Sequence, residues 1–511
     1  MLVKKSKKFL FLIFFVVIIS MFLLAFFGCT SSISASRNNL TQYDISLTLN
    51  EDKTINASQK VRYFNNSDNV LNYLMFHLYP NAFREGSKSS VVSLANEHKA
   101  YPNGKSYGKI DITAVKVSSV DACLKTNEEN LNMPNFLITG EDENILNINL
   151  EKELFPSESV EIEIDFNLIL PNINHRFGYG NDTINLGNFY PIACIYENGN
   201  FKTDLYSSNG DPFYSDIAIY NVEITYPSVL KIASTGNLIS TKSENEKTTS
   251  KFEAKKVRDF AMVLSDKFEI ISTNLNNTTI NYFYFSDKDP EKSLETAKKA
   301  VETFNNLIGE YPYKTLNVCE TNFVHGGMEY PNLIYISNDI LDHSQYEQVI
   351  VHETAHQWWY NLVGNSEYDH AWLDEGLTEY TTALFYEIND NYEIKKDALI
   401  DNAYSNYQMF VEVYGTVYGS VDTSMNRPLN KFKTEPEYVY VTYVKGMLLF
   451  DTLREILGPK KFEKCLKKYF EENKYKISKP ENLISSFEKA SGRKLESLIN
   501  AWIDGKVILL N

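Results

Sequence analysis

One run limits how this chain can fold more than any other: His352-Glu353-Thr354-Ala355-His356, followed after eighteen residues by Glu375. Positions i and i+4 share a face only on a helix. Both imidazoles can therefore meet one metal ion if 352–356 is helical, and Glu375 must reach the same point from a second helix. Two histidines, a glutamate and an open fourth position describe a catalytic zinc site rather than a structural one. His352, His356 and Glu375 are the expected ligands of a single zinc ion, although manganese or cobalt would suit the same donors. Glu353, one residue round the helix, is placed to act as general base on a zinc-activated water and to pass the proton to a leaving amine. The expected chemistry is hydrolysis, of peptides above all.

The surroundings of the run agree with that reading. Ser344-Gln345-Tyr346-Glu347 has the pattern of a capping box that opens a helix. No Pro or Gly interrupts 344–363, so regular helix is predicted across it. A second helix is predicted from Ala371 through Tyr386, with Gly376 as its weak point. Glu379, one turn past Glu375, is either a partner for a ligand histidine or a solvated charge. His325 and His370 read as bystanders, because the ligand set is already complete.

The chain has 511 residues, 43% of them hydrophobic and 14% aromatic, which predicts a packed protein of two or three domains. Tyr43-Ile45-Leu47-Leu49 and Val160-Ile162-Ile164-Phe166 alternate with polar residues at the period of a strand. Ile217-Ile219 and Val222-Ile224 do the same after a change of phase. Turn clusters such as Asn65-Asn66-Ser67-Asp68 and Ser208-Asn209-Gly210-Asp211-Pro212 separate these runs. Convincing helices begin only at Asp289-Pro290, with Leu294, Ala297, Val301, Phe304 and Ile308 at helical spacing. An extended stretch from Leu316 to Ser337 precedes the zinc helices, and a helical tail is predicted from about Val439. The fold class predicted is multidomain: an N-terminal all-β domain over 41–270, followed by an α+β domain over 271–511.

The first 28 residues read as an export signal or an anchor. Lys4, Lys5, Lys7 and Lys8 precede Phe9 to Phe27, an apolar run broken only by Ser20, and residues 29–40 read as a tether. Gly28-Cys29 resembles the end of a bacterial lipoprotein signal, which implies acylation of Cys29 on the extracytoplasmic face of the cell membrane. An uncleaved transmembrane anchor is the alternative, since the run is long enough to span a bilayer. The formal charge of −16 argues against nucleic acid as a partner. The remaining cysteines, at 123, 194, 319 and 465, contain no C-x-x-C pair, so a cysteine zinc site is not expected.

Taken together, the motifs resemble the gluzincin aminopeptidases, the family of aminopeptidase N and leukotriene hydrolase. Besides the zinc run, Gly326-Gly327-Met328-Glu329-Tyr330 is similar to the family's glycine-x-Met-Glu-Asn signature, with Tyr330 in place of Asn. Tyr443-Val444-Lys445-Gly446 is similar to its Tyr-Glu-Lys-Gly run, with Val444 in place of Glu. Phe76-His77-Leu78-Tyr79-Pro80-Asn81-Ala82-Phe83 is similar to the β-domain of bacterial members. The resemblance implies that 271–511 is a thermolysin-like zinc peptidase domain, and that the chain is a membrane-tethered member lacking the family's C-terminal helical domain. It implies that Glu329 binds the substrate's free α-ammonium, flanked by Gly326, Gly327 and Met328. It also implies that Tyr443 donates to the developing oxyanion. The partners expected are peptides and the membrane. Two rivals stand beside an aminopeptidase: a thermolysin-type endopeptidase, and a non-catalytic peptide-binding surface lipoprotein.

Overall fold

In strand after strand of the first half, every second side chain is buried. β1 (Gln42–Leu49) buries Tyr43, Ile45, Leu47 and Leu49 and turns its polar residues outward. The computed structural model, which describes residues 39–119 and 136–509, places β1 in a seven-stranded sheet. The other members are β2 (Thr54–Phe64), β3 (Lys109–Ser119), β4 (Ser159–Ile169), β5 (Ala218–Pro227), β6 (Asn237–Glu244) and β7 (Lys247–Val257), in the order β6-β7-β5-β1-β2-β4-β3. Only β1 and β5 pair in parallel; the rest are antiparallel. A register shift at Ala218/Ile219 accounts for the change of phase in the sequence there. Two four-stranded sheets share this core through residues such as Leu74, Phe76, Leu146, Leu186 and Val263. The export-signal and acylation expectations at 1–29 lie outside the described residues, as does Cys123. No helix among the described residues is long and apolar enough to cross a membrane.

A five-stranded sheet opens the second half. It consists of β8 (Glu269–Leu275), β9 (Thr278–Tyr284), β10 (Thr315–Thr321), β11 (Gly327–Met328) and β12 (Leu333–Ser337), ordered β8-β9-β10-β12-β11. Its two faces serve different cores. Ile280, Tyr282, Leu316, Val318, Ile334 and Ile336 pack among the helices, whereas Phe283, Cys319, Leu333 and Tyr335 pack into the β-domain core. A sheet buried on both sides needs nearly continuous apolar strands, which is why 316–337 reads as it does. Thr41 to Asn511 consequently forms one compact unit.

The longer helices among the described residues are α1 (Pro290–Leu307), α2 (His343–Ala355), α3 (Trp372–Ile388), α4 (Lys396–Tyr418), α5 (Lys445–Leu457), α6 (Pro459–Asn473), α7 (Pro480–Ser491) and α8 (Glu496–Ile503). Two differ from expectation. α4 was not legible, because Asn, Tyr, Ser and Val are indifferent helix formers and Met409, Val413 and Val417 on it are exposed. α2 is capped by Asp342, whose carboxylate accepts from Gln345 N at 2.9 Å, so the capping box at Ser344 does not form. α2 also ends at Ala355 rather than running to 363: tight turns follow, and Tyr360 has φ +88°.

Candidate active site

α2 carries His352, and His356 sits at its C-terminal cap with φ −61° and ψ −17°, so the helical relation of the pair survives. Glu375 lies in the first turn of α3, where a carboxylate is favoured by the helix dipole. His356 Nε2 lies 3.1 Å from His352 Nε2 and 3.2 Å from Glu375 Oε2, and His352 Nε2 lies 3.4 Å from the same oxygen. Zinc bonds of about 2.0–2.1 Å in a tetrahedron place neighbouring donors about 3.3 Å apart. The triangle therefore fits a tetrahedral ion with its fourth position open.

The other ring nitrogens are also engaged. His356 Nδ1 faces Trp359 O at 3.1 Å and Thr378 Oγ1 at 3.3 Å, and His352 Nδ1 faces Glu379 Oε1 at 3.3 Å. Such partners fix the tautomer that leaves Nε2 free for a metal. Glu379 is thus a partner of a candidate ligand, not an idle surface charge. Burial alone would raise Glu375, but the His356 and His352 imidazoles outweigh it and hold the carboxyl at about 2.

Glu353 is buried and its Oε2 has no hydrogen-bond partner. Burial first, and then the Glu329 carboxylate, push it up to about 8 in the metal-free protein, with the imidazoles opposing. Gly327 lies against it: a Cβ there would stand 2.4 Å from Glu353 Oε1. Gly326 is open, its hypothetical Cβ meeting only Val349 Cγ2 at 3.7 Å.

Glu329 follows β11, and strand alternation explains its direction. Met328 and Tyr330 on either side are buried in the β-domain core, so Glu329 turns the other way. Met328 does not line the cavity as a substrate contact; its side chain anchors the loop. Tyr330 Oη donates to Asn188 Oδ1 at 2.7 Å, so the departure from the motif's Asn ties this loop to the β-domain. Asn361 Nδ2 donates to Glu329 O at 2.6 Å. Glu329 is 3% exposed and its Oε1 has no partner. Burial raises it, while the His356 imidazole favours its charged form.

Tyr443 stands in a π-helical turn, Tyr440–Val444, directly before α5. Such turns re-aim side chains at functional sites. Its hydroxyl donates to Glu375 Oε1 at 2.5 Å, and burial keeps it protonated well above its ordinary range. The rest of the Tyr-Val-Lys-Gly run serves this placement. Lys445 Nζ is buried and donates to Thr423 O at 2.7 Å and Trp502 O at 3.0 Å. Gly446 lets α5 cross α3 backbone against backbone at Gly376.

These groups border one cavity of about 490 Å³ that includes His352, Glu353, His356, Glu375, Glu329, Gly326, Gly327 and Tyr443. The triad, Glu353, Glu329 and Tyr443 are thereby brought together. His325, read as a bystander, also lines the cavity, whereas His370 does not and faces Asn426 Oδ1 at 2.7 Å. Sequence reasoning missed the β-domain's contribution. Arg176, Ser208, Gly210 and Asp211 form part of the wall, although 208–212 reads as a mere turn. It also missed Glu367, which is 2% exposed beside Glu329.

Comparison with known proteins follows the same lines. Residues 292–502 match the Peptidase family M1 domain. "Leucine aminopeptidase 2" of Lodderomyces elongisporus is 29% identical over 213 residues, covering 37% of this chain and 32% of the relative. "Aminopeptidase M1-B" of Oryza sativa subsp. japonica is 25% identical over 227 residues, covering 41% and 25%. The chain thus spans about a third or less of the length of the curated relatives it matches. The crystal structure of the M1 zinc metallopeptidase from Deinococcus radiodurans shares the fold, with TM-score 0.63 at 17% identity, over 92% of this chain and 95% of that one.

Proposed function

With a Peptidase family M1 domain carried on residues 292–502, we propose that this chain is a zinc-dependent aminopeptidase that removes the N-terminal residue of peptides. The observation that carries this reading is Glu329: a buried carboxylate with an unpartnered oxygen, in the same cavity as the His352–His356–Glu375 triangle. A carboxylate held without solvent opposite an ammonium makes a charge-assisted bond that an internal peptide bond cannot supply.

The protein's groups divide the work. Glu329 takes the α-ammonium and so sets the scissile bond one residue away. Glu353 removes a proton from the attacking water and delivers it to the leaving amine. Tyr443 donates its hydroxyl to the oxygen that gains charge. A single zinc ion, held by His352, His356 and Glu375, would supply Lewis acidity at that oxygen and lower the pKa of water.

The N-terminal sequence supports a second proposal: export and tethering on the extracytoplasmic side of the membrane, by acylation of Cys29 or by an uncleaved anchor. Mass spectrometry of the N-terminal peptide from membranes tests it. A diacylglyceryl Cys29 supports the lipoprotein form, an intact Met1 peptide supports the anchor, and a soluble, unmodified chain refutes both.

Hydrolysis of aminoacyl-fluorogenic substrates, free and N-acetylated, with and without a chelator, tests the activity. Cleavage restricted to free amines, abolished by chelation and by Glu329→Ala, is the expected result. Equal cleavage of acetylated peptides would establish the endopeptidase instead, and no cleavage of either would favour a binding protein.

A further inference from the structure

The site holds more acid than its proposed chemistry uses. Glu367 opens the one-turn helix Glu367–His370, and its carboxyl lies within hydrogen-bonding reach of the Glu329 carboxyl. Neither Glu367 oxygen meets an N–H or O–H donor. Asp374 adds a third acid: one of its carboxylate oxygens lies within 4.8 Å of one on Glu329. Asp374 Oδ1 accepts from Asn365 Nδ2 at 2.9 Å, while Oδ2 has no partner. Among the described residues, no lysine or arginine pairs with any of the three. The nearby cations are taken, Arg176 by Asp211 and Lys202 by Asp369 and Glu197.

Two carboxyls in contact and out of water cannot both be ionised, so the pair must share a proton. Its place follows from the surroundings. Glu329 borders the cavity, where water and substrate reach it, whereas Glu367 lies behind it and does not line the cavity. The charges that act most on Glu367 are the carboxylates of Glu329, Asp374 and Asp211, none of which stabilises a second anion. Burial accordingly pushes the Glu367 carboxyl well above the usual range, and Glu329 and Asp374 push it the same way.

We propose that Glu367 is a positioning residue: a neutral carboxyl that donates one hydrogen bond to Glu329, holds its rotamer, and leaves its other oxygen and its full charge to the substrate's α-ammonium. This rests on the reading of Glu329 as the amine-binding group. No covalent step is involved, and the proton stays on Glu367 through the cycle.

An amide donates as a neutral carboxyl does, and this makes the proposal testable on the zinc-loaded full chain. Glu367→Gln should keep kcat/KM for free-amine substrates within about threefold of the original, because the donor is retained. Glu367→Leu should raise KM about tenfold or more while changing kcat less, because a hydrogen bond to a charged group is lost. The pH profiles of the original and Glu367→Gln should coincide, since a carboxyl that keeps its proton and an amide both present a neutral donor. If Glu367→Leu fails to fold, the Gln comparison and the profiles still decide.

Three results would overturn the proposal. One is a loss in Glu367→Gln as deep as in Glu329→Gln, which would make Glu367 an ionised amine ligand. Another is wild-type kinetics in both Glu367 variants. The third is a second equivalent of divalent metal that disappears in Glu367→Gln. Failure of the aminopeptidase reading is recognised separately, by equal cleavage of free and acetylated substrates in the unmodified protein.

Discussion

Replacing Gly376 or Gly446 by alanine tests how the catalytic geometry is held. A Cβ on Gly376 would stand 2.7 Å from Gly446 Cα and 2.9 Å from Gly446 C; a Cβ on Gly446 would stand 2.7 Å from Gly376 Cα. Carbon atoms pack comfortably at about 3.5–4.0 Å, so α3 and α5 would have to separate by about 1 Å. The obstructing atoms are backbone, and no side chain can rotate aside. Gly376 follows the candidate ligand Glu375, and Gly446 lies three residues after Tyr443, whose hydroxyl meets Glu375 at 2.5 Å. Overpacking of this kind costs about 1–3 kcal/mol of stability. A displacement of about 1 Å at a reacting centre costs roughly 10²-fold in rate. We expect kcat of each variant to fall about 10²-fold with a lowered thermal midpoint. Gly415→Ala on α4 serves as control: its Cβ would meet only Val421 Cγ2 at 3.8 Å, and it should be neutral or stabilising by up to about 1 kcal/mol. Steady-state kinetics on an aminoacyl-fluorogenic substrate and thermal unfolding read both effects. Unchanged kcat in Gly376→Ala and Gly446→Ala would refute the reasoning, and a lowered midpoint with full kcat would confine the glycines to packing.

Tyr443→Phe removes one oxyanion donor and should lower kcat about 10²–10³-fold with little change in KM, measured in the same assay. Burial and then the Glu329 carboxylate raise Glu353, and a general base works only when ionised, so on the proposed mechanism activity should fall as pH drops through its pKa. Glu329→Gln removes a neighbouring negative charge, lowers that pKa, and should move the acid limb of kcat to lower pH; a limb that stays put or rises would contradict the coupling. Bound zinc should stabilise the fold by about 4 kcal/mol at 1,000 times its Kd, so a chelator should lower the thermal midpoint, and should do so much less in His356→Ala. In the metal-free protein Glu375 is held at about 2 by its histidine neighbours, against an ordinary 4.5. A depressed carboxyl contributes stability that is present above its unfolded pKa and lost as pH falls from about 4.5 toward 2, so acid unfolding of Glu375→Gln should show less of that loss.

The site was legible where chemistry imposes a local spacing. The i, i+4 histidines require a helix, and α2 and α3 are where that requirement put them. The Met328-Glu329-Tyr330 alternation was also present in the chain, although which neighbour faced the core was not. Where side chains from distant segments meet, the chain was silent. Asp211 and Arg176 come from a domain whose residues read only as strands and turns, and Glu367 carries no pattern at all. Gly376 read as a defect of its helix, because a Cβ clash with Gly446, seventy residues on, has no signature in either segment.

What the sequence by itself determined is the set of candidate ligands, the candidate base and the order of a β-rich half before a helical one, because metal coordination and strand or helix periodicity depend on near neighbours. Only the tertiary structure decided that the five-stranded sheet joins two cores, that Tyr330 ties the Glu329 loop to Asn188, and that two helices cross at a pair of glycines. Those facts depend on contacts between residues up to about 140 positions apart, and excluded volume, burial and hydrogen bonding act between such residues only once the chain has closed on itself.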